Sequence, residues 1–364
     1  MTPRRILITT DAWHPQVNGV VRTLDTTTRV LRGRGHEVIV VEPGPFDQIG
    51  VPFYPEIRLA LARPGRVADL LQRARPDHIH ISTEGPLGQL VRRYSRRFGW
   101  AFSTSYHTRF PEYLRELARV PIGWSYAALR RFHNAAGAMM VAVPSLEAEL
   151  IARGFTVPIR RWSRGVDGSV FRPRAEVAAP YPRPILLYVG RVSAEKGIED
   201  FLKLDMPGTK VVVGDGPQRQ ALERVYPAAK FLGYRRGDAL GECYSMADAF
   251  VFPSKTDTFG LVVIEALAAG VPVAAYPVTG PMDILTRPEL GALHDDLGEA
   301  VRRTLKHGNR DECLREAANY TWDRCTDQFL ANLVPILGGD PHSPARPEAA
   351  RMISGMSICT PEFP

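Results

Sequence analysis

The stretch PSKTDTFGLVVIEALAAGVPV, Pro253 to Val273, sets two acids, Asp257 and Glu265, eight positions apart around a Phe259-Gly260-Leu261 turn. Glu265 is read as opening an apolar helix. Free backbone N–H groups at a helix start attract phosphate. Carboxylates accept hydrogen bonds from hydroxyls. A ligand with both kinds of group, such as a nucleotide sugar, suits this pattern. A surface turn leading into a buried helix would also produce it.

Working outward, strand-like and helix-like runs alternate. Arg5 to Thr10, Glu37 to Glu42, Asp77 to Ile81, Ala101 to Tyr106 and Met139 to Pro144 read as strands. Gly19 to Gly33, Val67 to Ala74, Leu87 to Phe98 and Ser125 to Ala136 read as helices between them. The alternation predicts a parallel, doubly wound α/β sheet. It restarts at Ile185 to Val189 and continues through Lys210 to Val213, Lys230 to Leu232, Ala249 to Phe252 and Val271 to Tyr276. A proline-rich run separates the two series, and proline clusters resist helix and strand alike. The expected division is a first domain over 1–172, a linker over 173–184, a second domain over 185–320 and a helix over 321–337. The segment 338–364 is rich in Pro, Ser and Gly without periodicity, and disorder is expected there. Ligands of such sheets bind beyond the carboxyl ends of the strands.

Several residues fall at those ends. Arg191 and Lys196 follow the strand Ile185 to Val189 in Gly190-Arg-Val-Ser-Ala-Glu-Lys-Gly197. A diphosphate leaving group needs positive charge where negative charge develops. Arginine grips oxygens in a fork, and lysine acts as a movable point charge. Gly19 meets a helix start in Thr10-Asp-Ala-Trp-His-Pro-Gln-Val-Asn-Gly19, where glycine lets the backbone approach phosphate or simply makes a turn. His107 follows the strand ending at Tyr106, at a position that faces a cleft; a structural histidine is the competing reading. Gly214-Asp215-Gly216 ends a further strand and reads either as a ligand-bordering loop or as a tight turn.

The acid pair, taken with these other runs in this order, resembles the retaining enzymes of glycosyltransferase family 4, over about residues 5 to 335. The family signature is Glu, seven residues, Glu; here Asp257 replaces the first, one methylene shorter. The run around Gly19 resembles lipid-directed members, including sulfoquinovosyl-, mannosyl- and glucosyl-diacylglycerol-type transferases. The resemblance implies the GT-B fold: two Rossmann-like domains facing a cleft, with a C-terminal helix crossing back to the first. It implies an acceptor-shaping first domain and a nucleotide-sugar-binding second domain. Arg191 and Lys196 then contact the donor diphosphate, and His107 lies near the reacting sugar. Asp257 is counted with these three in the catalytic set. Gly19, Gly214, Asp215, Gly216, Phe259, Gly260, Leu261 and Glu265 form the donor-binding set. His14 and Arg109 line the acceptor side. The implied reaction moves a hexose from a nucleotide diphosphate sugar to an acceptor hydroxyl, with retention and without a metal or other cofactor. UDP-glucose or UDP-glucuronate is the favoured donor and diacylglycerol the favoured acceptor. GDP-mannose transfer and polysaccharide assembly are alternatives within the class. A non-catalytic nucleotide- or polyanion-binding protein is the alternative outside it.

The chain has 364 residues with 45% hydrophobic and 23% charged content, ordinary for two globular domains. Its net charge of +7 is local: Arg92, Arg93, Arg96 and Arg97 share one run, and Arg115, Arg119, Arg130 and Arg131 follow. Such patches attract anionic lipid or nucleic acid, or form a solvated helix face. Given the resemblance, an anionic membrane surface is the expected partner and nucleic acid is not. Cys243, Cys313, Cys325 and Cys359 form no C-x-x-C pair and read as reduced thiols. No apolar run has the length of a membrane span, and Met1-Thr-Pro-Arg-Arg5 runs straight into the strand-like Ile6 to Thr10 without the apolar core expected of a signal peptide. The expected location is cytoplasmic, on the inner face of the membrane.

Overall fold

The computed structural model describes residues 2–51, 54–174 and 180–336. The segment 338–364, with Cys359, lies outside the described residues, as does the middle of the proline-rich run.

The first half runs β1 (Arg5–Thr9), α1 (Gly19–Gly33), β2 (Glu37–Val41), a hairpin of β3 (Gln48–Val51) and β4 (Tyr54–Ala60), α2 (Pro64–Ala74), β5 (His78–Ile81) and α3 (Pro86–Phe98). It continues through β6 (Ser103–Ser105), α4 (Phe110–Ala118), α5 (Ile122–His133), β7 (Ala138–Val141), α6 (Pro144–Ala152) and β8 (Ile159–Arg161). Apart from the hairpin, the strands form one parallel sheet in the order β2-β1-β5-β6-β7-β8. Helices cover its faces, so strands such as β5 and β7 are buried throughout.

The second half begins with β9 (Ile185–Val189) and α7 (Ile198–Leu202), then β10 (Thr209–Val213), α8 (Arg219–Val225), β11 (Lys230–Gly233), α9 (Gly237–Ser245) and β12 (Ala249–Phe252). It ends with α10 (Leu261–Ala268), β13 (Val273–Ala275), α11 (Pro281–Ile284), β14 (Gly291–Leu293), α12 (Leu297–His307) and α13 (Arg310–Ala317). Its sheet is again parallel, ordered β11-β10-β9-β12-β13-β14. Counted within this half, that is 3-2-1-4-5-6, and the order reverses between β9 and β12. In sheets of this order the loops diverge at such a point, and the crevice that binds ligands lies beyond the strand ends there.

The last helix, α14 (Trp322–Asn332), returns to the first half and packs on α1. Cys325, Phe329 and Leu330 join Ile8, Leu24, Leu31 and Trp162 in one buried cluster. Val166 bridges Thr321 where α14 begins. A Cβ on Gly165 would lie 2.6 Å from Trp322, so this turn requires glycine. The two doubly wound halves and the crossing helix are those the sequence implies.

Boundaries differ in places. The β6 strand is only Ser103–Ser105, so His107 stands beyond its end in a loop rather than next to a strand at Tyr106. The β13 strand is likewise shorter than Val271 to Tyr276. The β3–β4 hairpin and the helices α4 and α6 went unread because they are short; α6 also lacks a regular apolar face, whereas the apolar residues of α4 do stand at helical spacing. Cys243, Cys313 and Cys325 are buried free thiols.

Candidate active site

The loop after β9 carries Gly190, Arg191 and a single helical turn, Ala194–Lys196. The loop after β12 carries Asp257. Across the point where the strand order reverses, Lys196 Nζ donates to Asp257 Oδ1 at 2.7 Å. The loops approach closely: Gly197 has φ +63, and a Cβ there would lie 2.5 Å from the Pro253 carbonyl oxygen. Burial opposes ionisation of Asp257, but the Lys196 ammonium outweighs it and holds the carboxyl below its ordinary range. Asp257 is therefore charged at neutral pH.

Glu265 does not open α10. The helix begins at Leu261 behind Gly260, whose φ is +85, and Glu265 falls in its second turn. The free N–H groups of the first turn thus belong to the Leu261 end of the helix, and the acid stands one turn deeper. Glu265 is 2% exposed. Its Oε2 accepts from the Tyr244 hydroxyl at 2.9 Å, and its Oε1 accepts from the Arg22 guanidinium of α1. Burial and the neighbouring Glu265 push the Tyr244 hydroxyl well up, so it remains a donor. Arg22 also packs over the Phe171 ring, 5.4 Å from its centroid. A Cβ on Gly19 would lie 3.4 Å from Leu261 Cδ1, so the starts of α1 and α10 face each other across the crevice.

Gly214 and Gly216 have a packing role. A Cβ on Gly214 would lie 1.8 Å from the Gly190 carbonyl oxygen, and one on Gly216 would lie 2.4 Å from that of Val192. Val192 N–H donates to the Asp215 carbonyl at 2.9 Å. The Asp215 side chain accepts from Gly216 N–H at 2.8 Å and from Arg219 at 3.0 Å. These contacts seat the β10 loop against the loop that carries Arg191.

His107 joins the two halves. Its carbonyl accepts from Thr258 Oγ1 at 2.7 Å, one residue past Asp257. Its Nδ1 faces the Arg164 guanidinium at 3.1 Å. Arginine has only donors, so Nδ1 accepts and the ring proton sits on Nε2. Nε2 is buried without a hydrogen-bond partner among the described residues. Burial first, and Arg164 second, hold the His107 pKa well below the usual imidazole value. Burial pushes Arg164 down to about 10, which leaves it charged. A neutral His107 is a hydrogen-bond donor rather than a proton shuttle. The pH profile of kcat is therefore expected to show no histidine titration between pH 6 and 8, and His107→Asn should lower kcat without changing the profile's shape. An activity limb near pH 6.5 that disappears in His107→Asn would overturn this assignment.

Two further contacts cross the crevice. Arg109 holds Glu149 with two hydrogen bonds, at 3.1 and 2.6 Å, and reaches Thr279 Oγ1 at 2.8 Å. Asp283 accepts from Ser145 N–H at 2.9 Å and from its hydroxyl at 2.5 Å. Arg109 is thus engaged in tying the halves together. His14 lies apart, 3.7 Å from Asp25. Arg191 and Lys196 share the β9 loop; Phe259, Gly260 and Leu261 form the turn beside Asp257.

Sequence reading missed Arg22, Tyr244, Arg164 and Thr258. Arg22 carried a usable signal, one turn after Gly19 at the start of an amphipathic helix. Tyr244 carried none, because its partner is brought to it by tertiary packing alone. Among the described residues no group of three or more His, Cys, Asp or Glu side chains converges on a metal site. No helix among them is long and apolar enough to cross a membrane.

Comparison with known proteins matches residues 17–169 to a family described as Glycosyltransferase Family 4 and residues 172–320 to one described as Glycosyl transferases group 1. A sulfoquinovosyl transferase of Arabidopsis thaliana is 32% identical, over 90% of this chain and 69% of its own. A GDP-mannose-dependent alpha-mannosyltransferase of Mycobacterium tuberculosis is 31% identical, over 92% and 97%. An alpha-monoglucosyldiacylglycerol synthase of Streptococcus pneumoniae is 27% identical, over 83% and 78%. Among solved structures, a sucrose-phosphate synthase of Thermosynechococcus elongatus superposes with a TM-score of 0.70 at 22% identity, covering 90% of this chain and 97% of that one.

Proposed function

The chain belongs to glycosyltransferase family 4, and from that premise we propose that it moves a hexose from a nucleotide diphosphate sugar to a hydroxyl of a membrane lipid, with retention at the anomeric carbon. The observation that carries the reading is the Lys196–Asp257 pair at the strand-order reversal, beside the start of α10. Cations for a diphosphate and carboxylates for sugar hydroxyls stand together at a helix start.

In this reading Arg191 and Lys196 take the diphosphate, and the starts of α1 at Gly19 and of α10 at Gly260 and Leu261 offer it N–H groups. Asp257 and Glu265 accept from donor hydroxyls. Gly214, Asp215, Gly216 and Phe259 shape the nucleotide side. His107 donates from Nε2 to the sugar. The bond from the anomeric carbon to the diphosphate oxygen breaks, and a bond to the acceptor oxygen forms on the same face. The acceptor proton passes to the departing diphosphate. Lys196 and Arg191 neutralise the charge that develops, so the reaction requires no metal ion. Closure of the halves excludes water.

UDP-glucose or UDP-glucuronate is the favoured donor. GDP-mannose is the second reading, supported by the mannosyltransferase likeness over nearly the full length of that relative. The lipid acceptor is supported by the likeness to a diacylglycerol glucosylating enzyme and by the surface of the first half. Arg93, Arg96 and Arg97 are exposed on α3, and Trp124 on α5 is 75% exposed. Exposed tryptophan with arginines suits the headgroup layer of an anionic bilayer. Arg92 does not share this role: it donates to the Phe132 and Arg131 carbonyls at 3.1 and 2.5 Å.

The test is a donor panel of UDP-glucose, UDP-glucuronate and GDP-mannose, with diacylglycerol in phosphatidylglycerol or phosphatidylcholine vesicles and products read by mass spectrometry. Transfer is expected to diacylglycerol, faster on the anionic vesicles. Replacing Arg93, Arg96 and Arg97 by Glu should weaken vesicle co-sedimentation by about a hundredfold or more, since each lost cation costs about 1 kcal/mol at such a surface. Nucleotide binding without turnover of any donor would leave a binding protein instead. Transfer to soluble polyols but not to vesicle lipid would overturn the lipid acceptor.

A further inference from the structure

The two acids of the crevice are both engaged by cations. Lys196 holds Asp257 from within the second half, and Arg22 reaches Glu265 from the first. A carboxylate with 2% exposure needs compensating partners, and Glu265 has Arg22 on one oxygen and Tyr244 on the other. Tyr244 is fully buried and shares the second half with Glu265, so it stays in place when the halves move. Arg22 belongs to α1, is partly exposed, and lies one turn from Gly19, at the helix start that faces Leu261.

We propose that Arg22 is a donor-positioning residue that exchanges partners: it pairs with Glu265 and passes to the donor diphosphate when the donor hydroxyls take its place on Glu265. The proposal rests on the nucleotide-sugar reading above. Its logic is charge balance. A nucleotide diphosphate sugar brings negative charge that needs cations and hydroxyls that need acceptors. Lys196 is paired with Asp257 and Arg22 with Glu265, so cations and acceptors that the donor requires stand together. Exchange leaves neither Glu265 nor the guanidinium uncompensated.

The experiment compares affinities of UDP and GDP with those of uridine and guanosine for the wild type, Arg22→Lys, Arg22→Ala and Arg22→Ala/Glu265→Gln. Loss of one charged contact to phosphate should weaken the diphosphates by about 10- to 100-fold in Arg22→Ala, with nucleosides within about twofold. Arg22→Lys should recover most of the loss. The double variant removes the buried charge that Arg22→Ala alone leaves unpaired and should fold where the single variant does not; because Glu265 itself accepts donor hydroxyls, it is compared with Glu265→Gln alone, against which the diphosphates should again be weaker by about 10- to 100-fold and the nucleosides within about twofold. Equal weakening of nucleoside and diphosphate, or unchanged diphosphate affinity, overturns the exchange. A wild type that binds diphosphates through Arg22 but transfers from no donor would instead overturn the transfer reading and leave the exchange standing.

Discussion

Lys196→Ala is expected to lower kcat/KM for glycosyl transfer by a thousandfold or more while the protein stays folded. Two effects combine. The cation proposed to face the departing diphosphate is lost, and removal of one such preorganised group costs about 3 to 4 kcal/mol in the transition state. Asp257 also loses the ammonium that offsets its burial, at 2.7 Å in the wild type. Burial, then opposed only by the Ser254 hydroxyl, raises its pKa above the wild-type value, which weakens Asp257 in its proposed role as an acceptor of sugar hydroxyls. The sign for stability follows from the wild-type shift. The Asp257 carboxyl is held below its ordinary range on folding, so the pair stabilises the protein above the unfolded-state pKa. That contribution fades only as pH falls through the depressed folded value. At neutral pH the variant loses it, yet Asp257 is a quarter exposed and can hydrate or protonate, so the fold should survive. Initial rates with the donor found in the panel, beside a thermal melt, make the check. Lys196→Arg should retain part of the activity as a cation of different shape. Asp257→Asn combined with Lys196→Ala should cost little more than Lys196→Ala alone, because the two residues act as one unit. A Lys196→Ala enzyme with more than about a tenth of wild-type activity would remove the diphosphate role from this lysine, since a tenth corresponds to only about 1.4 kcal/mol.

The division into two parallel sheets was legible because buried parallel strands are written as apolar runs, and runs such as Ile185 to Val189 and Ala249 to Phe252 match their strands at both ends. The placement of Arg191, Lys196 and Asp257 at strand ends was legible for the same reason. What a sequence does not display is which side chains from distant segments meet. Arg22 and Glu265 are 243 positions apart, and their pairing follows from how α1 and α10 confront each other. The depth of Glu265 was misread because Gly260 looked like part of the turn, whereas its positive φ starts the helix a full turn before the acid. His107 stands in the loop beyond β6 rather than next to the strand, and its chemistry depends on Arg164, which reaches Nδ1 from 57 positions away.

Gly214 shows the same limit most sharply, since a glycine read as part of a ligand-bordering loop or a tight turn is held by a neighbouring loop. Gly214→Ala is expected to destabilise the second half by about 3 kcal/mol or more, combining a strained backbone with a contact that cannot relax locally. Its φ is +140, a conformation that residues with a Cβ rarely adopt. The added Cβ would stand 1.8 Å from the Gly190 carbonyl oxygen. That obstacle is backbone, so no rotation of a side chain relieves it. Gly190 N–H donates to Val213 at 3.0 Å and Gly214 N–H to Gly233 at 2.9 Å, so relief requires the β9 and β10 ends to part. For a domain of this size the loss corresponds to a melting temperature lower by roughly 6 to 12 °C. Arg191 rides on the displaced loop, and the donor KM should rise with the fall in stability. Gly33→Ala is the matched control. It lies at the last residue of α1 with no atom within 4 Å of a new Cβ, and it should be neutral or stabilise slightly. If Gly214→Ala melts within about 2 °C of the wild type, a shift worth about 0.5 to 1 kcal/mol, but loses nucleotide affinity, the glycine serves the ligand rather than the loop beside it.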